Sequence, residues 1–144
     1  MLAGSNDNEA GLFNVQAGGN LPPSTQESIN LSFTCPAGTA AQFRSDAGVS
    51  AWRYRYFGVW PNLKISETAG TYHGAEIPMV FGGSDRGIDI PDTNAQKVVK
   101  TKMMKAWAGF VKDPEAGLTK LGWPKYDKNS KSLRNSSHRR MLIF

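Results

Sequence analysis

Apolar and polar positions divide the chain into segments of recognisable period. From 51 to 57 (AWRYRYF) the pattern alternates, with Trp52, Tyr54 and Tyr56 on one face and Arg53 and Arg55 on the other. A period of two predicts a strand whose arginines form its polar face. Thr93 and Gln96 have capping-box spacing, and Val99, Met103, Trp107 and Phe110 follow at i, i+4, i+8 and i+11 until Asp113-Pro114. That pattern predicts an amphipathic helix with a Met and aromatic stripe in the core and Lys97, Lys100, Lys102, Lys105 and Lys112 mostly on the solvated side. Ile29, Phe33, Ala37, Ala40 and Phe43 are also helically spaced, and Pro36 predicts two short helices there rather than one. Gly18 to Ser28 (GGNLPPSTQES) has the glycines, prolines and small polar residues of an exposed connection. Ahead of it, Met1 to Gly4 suit the end of a strand, Ser5 to Asn8 a turn, and Glu9 to Gln16 a short helix burying Leu12, Phe13 and Val15.

Composition limits what such a chain can be. Its 144 residues, 40% apolar and 20% charged, suit one globular domain and neither two domains nor a disordered chain. The single Cys, Cys35, excludes an intrachain disulfide framework and is expected to be a buried thiol. With no Cys/His cluster no zinc site is expected, and nothing calls for a cofactor. No apolar run of membrane-spanning length occurs, and Met1 to Ala10 carry no secretory signal.

The formal charge of +5 is unevenly distributed. Residues 1–117 carry 10 basic and 11 acidic side chains, whereas residues 118–144 carry 7 basic ones and Asp127 alone. A basic tail can hold phosphates, and Tyr126 in it could stack on a base. No nucleic-acid-binding motif accompanies the charge, so a solvated terminus is the expectation and nucleic acid is not an expected partner.

Two residues have the character of chemistry. His73 lies in Gly70-Thr71-Tyr72-His73-Gly74-Ala75-Glu76, where flanking glycines let an imidazole be presented closely to a substrate. The same residue suits a surface or packing role, the role assigned to His138 in the tail. Glu9, in Asn6-Asp7-Asn8-Glu9-Ala10, suits either a first-turn acid at a helix N-terminus or a carboxylate bonded to an imidazole Nδ1–H. Composition does not separate these readings.

Five ordered blocks carry a resemblance: NDNEAGLF (6–13), FTCPAGTAAQFR (33–44), AWRYRYFGVWPNL (51–63), GTYHGAEIPMVFG (70–82) and MMKAWAGFVKDPEAGLTKLGWPKYD (103–127). Together, from the first residue to about Leu133, they resemble the C-terminal part of fungal type-B carboxylesterases, the cholinesterase-like branch of the α/β-hydrolases. The resemblance implies an α/β fold holding the last strands and helices of a doubly wound sheet. Residues 1–133 would be the C-terminal part of the carboxylesterase domain and 134–144 a divergent basic tail.

It also implies a Ser-Glu-His triad in the chain order of this fold. Glu9 occupies the acid position and His73 the histidine position of an HG-x-E element, with Glu76 as the acidic residue supporting it. The expected substrate is a small carboxylic ester or lipid, and the expected partner is the upstream part of the hydrolase fold. Many members of the family are secreted, whereas the signal peptide is missing here, so no compartment is assigned.

The nucleophile is not found. Ser5, the serine ahead of Glu9, lies in AGSND and not in a G-x-S-x-G elbow. Gly82-Gly83-Ser84-Asp85-Arg86 lacks the final glycine, follows His73, and is rejected. The glycine-rich oxyanion loop is missing as well. Losing the nucleophile of a triad costs on the order of 10⁶ in kcat, so the isolated chain is expected to be inactive. It is also expected to dissolve poorly, with a sheet edge and apolar helix faces uncovered. The alternative is an inactive truncated product acting as an interaction module, its basic tail meeting anionic partners.

Two departures from the resemblance stand out. Asn8-Glu9-Ala10 replaces the family's usual Asp-Glu-Gly, and Arg134 to Phe144 does not match the alternating final strand expected after Ser132-Leu133. Asn30-Leu31-Ser32 and Asn135-Ser136-Ser137 are sequons, compatible with a secreted parent and frequent by chance.

Overall fold

The computed structural model describes residues 1–87, 89–129 and 141–143. Its elements run β1 (Leu2–Asn6), α1 (Ala10–Gln16), α2 (Pro23–Asp46), β2 (Trp52–Tyr56), a 3-10 turn (Pro61–Leu63), α3 (Ile77–Val80), α4 (Asn94–Lys112), α5 (Gly117–Lys120) and β3 (Met141–Ile143). The sheet order is β1-β2-β3. β1 and β2 are parallel, with Leu2 opposite Trp52 and Asn6 opposite Tyr56. Their connection contains α2, as a parallel pair requires a long crossover. β2 and β3 are antiparallel, Tyr56 opposite Met141. The sheet is therefore mixed, one parallel pair extended by a last strand that enters from the opposite direction.

The alternation of β2 separates two environments. Trp52, Tyr54 and Tyr56 are buried with Trp60, Met79, Met103, Ala106, Leu118 and Trp123 in one core. Tyr54 meets Trp107 and Trp123 edge-on, at ring-centroid distances of 6.4 Å in both cases. On the other face Arg53 and Arg55 are half-buried, Arg53 donating to the Thr34 carbonyl of α2 and Arg55 paired with Asp7 at 3.0 Å. Helix α4 begins with the expected capping box, Gln96 N–H donating to Thr93 Oγ1 and Thr93 N–H to Gln96 Oε1. Its buried Met103 and Ala106 then close over the aromatic face of β2.

Several expectations are corrected. α2 is one helix of 24 residues passing through Pro36, and it starts at Pro23, inside the segment read as a connection. Proline at the first helical position is well tolerated, and packing on β1 and β2 outweighs the break at Pro36. Only Ala41 of α2 is fully buried, and Cys35, six positions earlier and so on another side of the helix, is exposed rather than buried. In α1, Leu12, Phe13 and Val15 are half-buried, and Ala10 and Gly11 are the buried residues. The helix docks by its first turn: a Cβ on Gly11 would stand 2.1 Å from the Ala69 carbonyl oxygen.

Lys100 is not on the solvated side of α4. Its side chain, 15% exposed, pairs with Asp92 at 2.5 Å and Asp85 at 3.3 Å. Asp92 also accepts from Asn62 Nδ2 and Ser84 Oγ, and Asn62 Oδ1 accepts from Gln96 Nε2, so a buried polar network anchors the start of α4. Tyr126 is held as well, its N–H bonded to the Ala51 carbonyl and its hydroxyl to Gln42 of α2. His138 and most of the basic tail lie outside the described residues.

Candidate active site

The site forms where the end of β1 meets the loop that follows the 3-10 turn. Beyond Asn6 the chain turns at Asp7–Glu9, the Asp7 N–H donating to the Tyr56 carbonyl and the Asn8 N–H to the Thr71 carbonyl. Asn8 Nδ2 donates to the Ala69 carbonyl at 2.9 Å, so the turn and the loop are tied at more than one point. The Ala10 N–H, left free at the start of α1, donates to Asn30 Oδ1 of α2.

Glu9 occupies the N-cap position of α1 but makes no capping bond. Its Oε1 accepts from the Asn6 N–H at 2.6 Å, and its Oε2 lies 2.7 Å from His73 Nδ1. The Glu9 side chain is 4% exposed and that of His73 is 43% exposed. A carboxylate only accepts, so Nδ1 carries the hydrogen in this contact and the neutral ring leaves Nε2 with a lone pair. Among the described residues Nε2 makes no hydrogen bond. The ring is flanked by Phe33, at a centroid distance of 4.4 Å, and by Phe13 at 5.9 Å. Gly74, immediately after His73, has φ +83°, and a side chain there would strain the turn that presents the imidazole.

Glu76 does not touch His73. Its Oε2 accepts from Asn6 Nδ2 at 2.6 Å, and the same amide donates to the Tyr72 carbonyl at 2.8 Å. Asn6, 1% exposed, thus reaches all three residues or their immediate neighbours, and sequence reasoning missed it. An asparagine at a strand end is an ordinary turn residue, and no pattern distinguishes this one.

The serines named from the sequence are not brought to the imidazole. Ser84 is fully buried with its hydroxyl on Asp92, which disposes of Gly82-Gly83-Ser84-Asp85-Arg86 as an elbow. Ser5 is buried in β1, and its Oγ has no partner among the described residues. Among the described residues no three of His, Cys, Asp and Glu converge to hold a metal ion, and no helix is long and apolar enough to cross a membrane.

Comparison with known proteins adds the family context. The model of the carboxylesterase family matches residues 22–141, a stretch containing His73 and Glu76 and following Glu9. The chain is 30% identical to secreted lipase 5 of Gibberella zeae over 99 residues, 69% of this chain and 18% of that protein. It is 28% identical to chlorogenic acid esterase of Aspergillus niger over 114 residues, 69% of this chain and 22% of the relative. Carboxylesterase 4A of Bos taurus is 32% identical over 98 residues, 66% of this chain and 17% of the relative. The chain therefore spans about a fifth of the length of these relatives.

Proposed function

Since the chain belongs to the carboxylesterase family, we propose that it is the C-terminal part of a serine carboxylic ester hydrolase and supplies the acid and histidine of its triad. The observation that carries this reading is the 2.7 Å contact between the buried Glu9 carboxylate and Nδ1 of a half-exposed His73 whose Nε2 has no partner among the described residues. In this reading Glu9 fixes the Nδ1–H tautomer. Nε2 takes the proton of a serine hydroxyl as the serine attacks the ester carbonyl, and the resulting imidazolium is stabilised by Glu9 across the ring. The same nitrogen returns the proton to the departing alcohol, and a water then repeats the sequence to release the acid. Phe13 and Phe33 hold the ring plane while this happens.

The serine and the oxyanion donors would come from an upstream segment of the hydrolase fold, packed on the free edge of β1. Residues 1–133 would belong to that domain and 134–144 would be its divergent tail. The substrate class is a carboxylic ester or lipid, in keeping with the lipase and esterase names of the relatives.

The test is hydrolysis of a short-chain p-nitrophenyl ester. The chain alone is expected to show no turnover above background. Mixed with a separately expressed upstream half that contains G-x-S-x-G, it is expected to restore hydrolysis that His73→Ala removes. Turnover by the chain alone would refute the assignment of the nucleophile to another segment. A folded, associated mixture without activity would favour the other reading, an inactive interaction module, for which the lack of an elbow serine in these 144 residues speaks.

A further inference from the structure

We propose that Asn6 is the positioning residue that sets the histidine against its acid, an inference that rests on the pairing of Glu9 with His73 proposed above. Three hydrogen bonds leave this one residue. Its main-chain N–H donates to Glu9 Oε1 at 2.6 Å and so turns Oε2 towards Nδ1. Its side-chain amide donates one hydrogen to the carbonyl of Tyr72, the residue before His73, and the other to Glu76 Oε2. The acid is thus held by the backbone of Asn6 and the histidine loop by its side chain.

The orientation of the amide is fixed by its partners. Both are acceptors, a carbonyl and a carboxylate, so only the NH₂ end satisfies them, and a flipped amide would set three acceptors against one another. The other end, Oδ1, is buried without a partner among the described residues. A side chain placed only for solubility or packing has no reason to leave a buried oxygen unpaired while spending both hydrogens on the histidine loop. Glu76 acquires a role through this residue: it holds the amide in the rotamer that supports the Tyr72 carbonyl and acts on His73 at one remove.

The experiment reads the tautomer of His73 directly. The full chain is labelled with ¹⁵N-histidine in a His138→Gln background, and long-range ¹H–¹⁵N correlations, in solution or in the solid state, report which ring nitrogen carries the hydrogen above the titration of the ring. The chain with Asn6 intact is expected to show Nδ1–H as the major form, unlike the same chain unfolded in urea. Asn6→Ala and Asn6→Asp leave the main-chain bond to Glu9 in place, so any change reports the side-chain arm alone. Both are expected to lose the Nδ1–H preference and to approach the urea-unfolded mixture. The exchange Asn6→Asp/Glu76→Gln restores a donor facing an acceptor between the two side chains but sets a carboxylate against the Tyr72 carbonyl, so it is expected to recover the fold without the Nδ1–H preference.

Single variants that keep helical circular dichroism and the Nδ1–H signal would overturn the role of Asn6 and leave the Glu9–His73 reading intact. A parent chain already in the Nε2–H form would overturn both. If the single variants do not fold, the exchange decides. Recovery of the fold without the Nδ1–H signal supports the proposal, and an exchange variant that folds with the signal intact refutes it.

Discussion

At the scale of single residues, the acid and the histidine are unequal in setting. Glu9 is enclosed and doubly bonded, whereas His73 keeps its outer nitrogen open. In the proposed triad a carboxylate so placed would act through the tautomer it enforces, and an amide of the same shape would not enforce it. Glu9→Gln in the reconstituted esterase is therefore expected to lower kcat by about 10⁴-fold while leaving KM nearly unchanged, measured by steady-state hydrolysis of a p-nitrophenyl ester. The chain reads Glu9 and His73 64 positions apart, and no period or spacing links them. Local context marked each as a candidate, and only the ordered resemblance of whole blocks assigned them to one triad. Asn6 carried no such mark, because a buried asparagine and a turn asparagine look the same in a sequence.

Among the elements, those with one strong requirement were legible. β2 alternates because its two faces meet an aromatic core and a helix, and α4 repeats its apolar stripe behind a capping box. α2 was not legible: its proline pair marks a start and not a break, and little of it is deeply buried, so its apolar residues trace no clean stripe. The network at the start of α4 also escaped notice, since Asn62, Ser84, Asp92, Gln96 and Lys100 come from three separate stretches. Burial alone would push the Asp92 carboxyl up, but donors on Lys100, Asn62 and Ser84 together hold it below its usual range. A carboxylate lowered in the fold contributes stability above its unfolded pKa and loses that contribution as pH falls through the folded value. Asp92→Asn is accordingly expected to be less stable than the parent chain near neutral pH, with the gap narrowing once pH falls below about 4, where the unfolded chain takes up the proton, and closing through the lower folded value. Urea unfolding followed by circular dichroism across that range measures it, and a gap independent of pH would contradict the assignment.

The whole molecule leaves apolar surface uncovered. Phe43, Phe81 and Val111 are respectively 69%, 77% and 75% exposed, and β1 ends the sheet without a neighbour on its outer side among the described residues. Such an edge is a template for further strands. Sedimentation of the chain alone is expected to show association that grows with concentration and is suppressed by the upstream half; one monomeric species at every concentration would contradict this. A different consequence follows from the ties between the Asp7–Glu9 turn and the histidine loop. The contacts of Asn6, Asn8 and Glu9 with Ala69, Tyr72, His73 and Glu76 span 61 to 70 positions along the chain. Closing a loop of that length is entropically costly, so these contacts are expected to form after the local turns of α2 and α4. A partly folded chain can thus retain nearly all of its helix and have no acid beside its histidine.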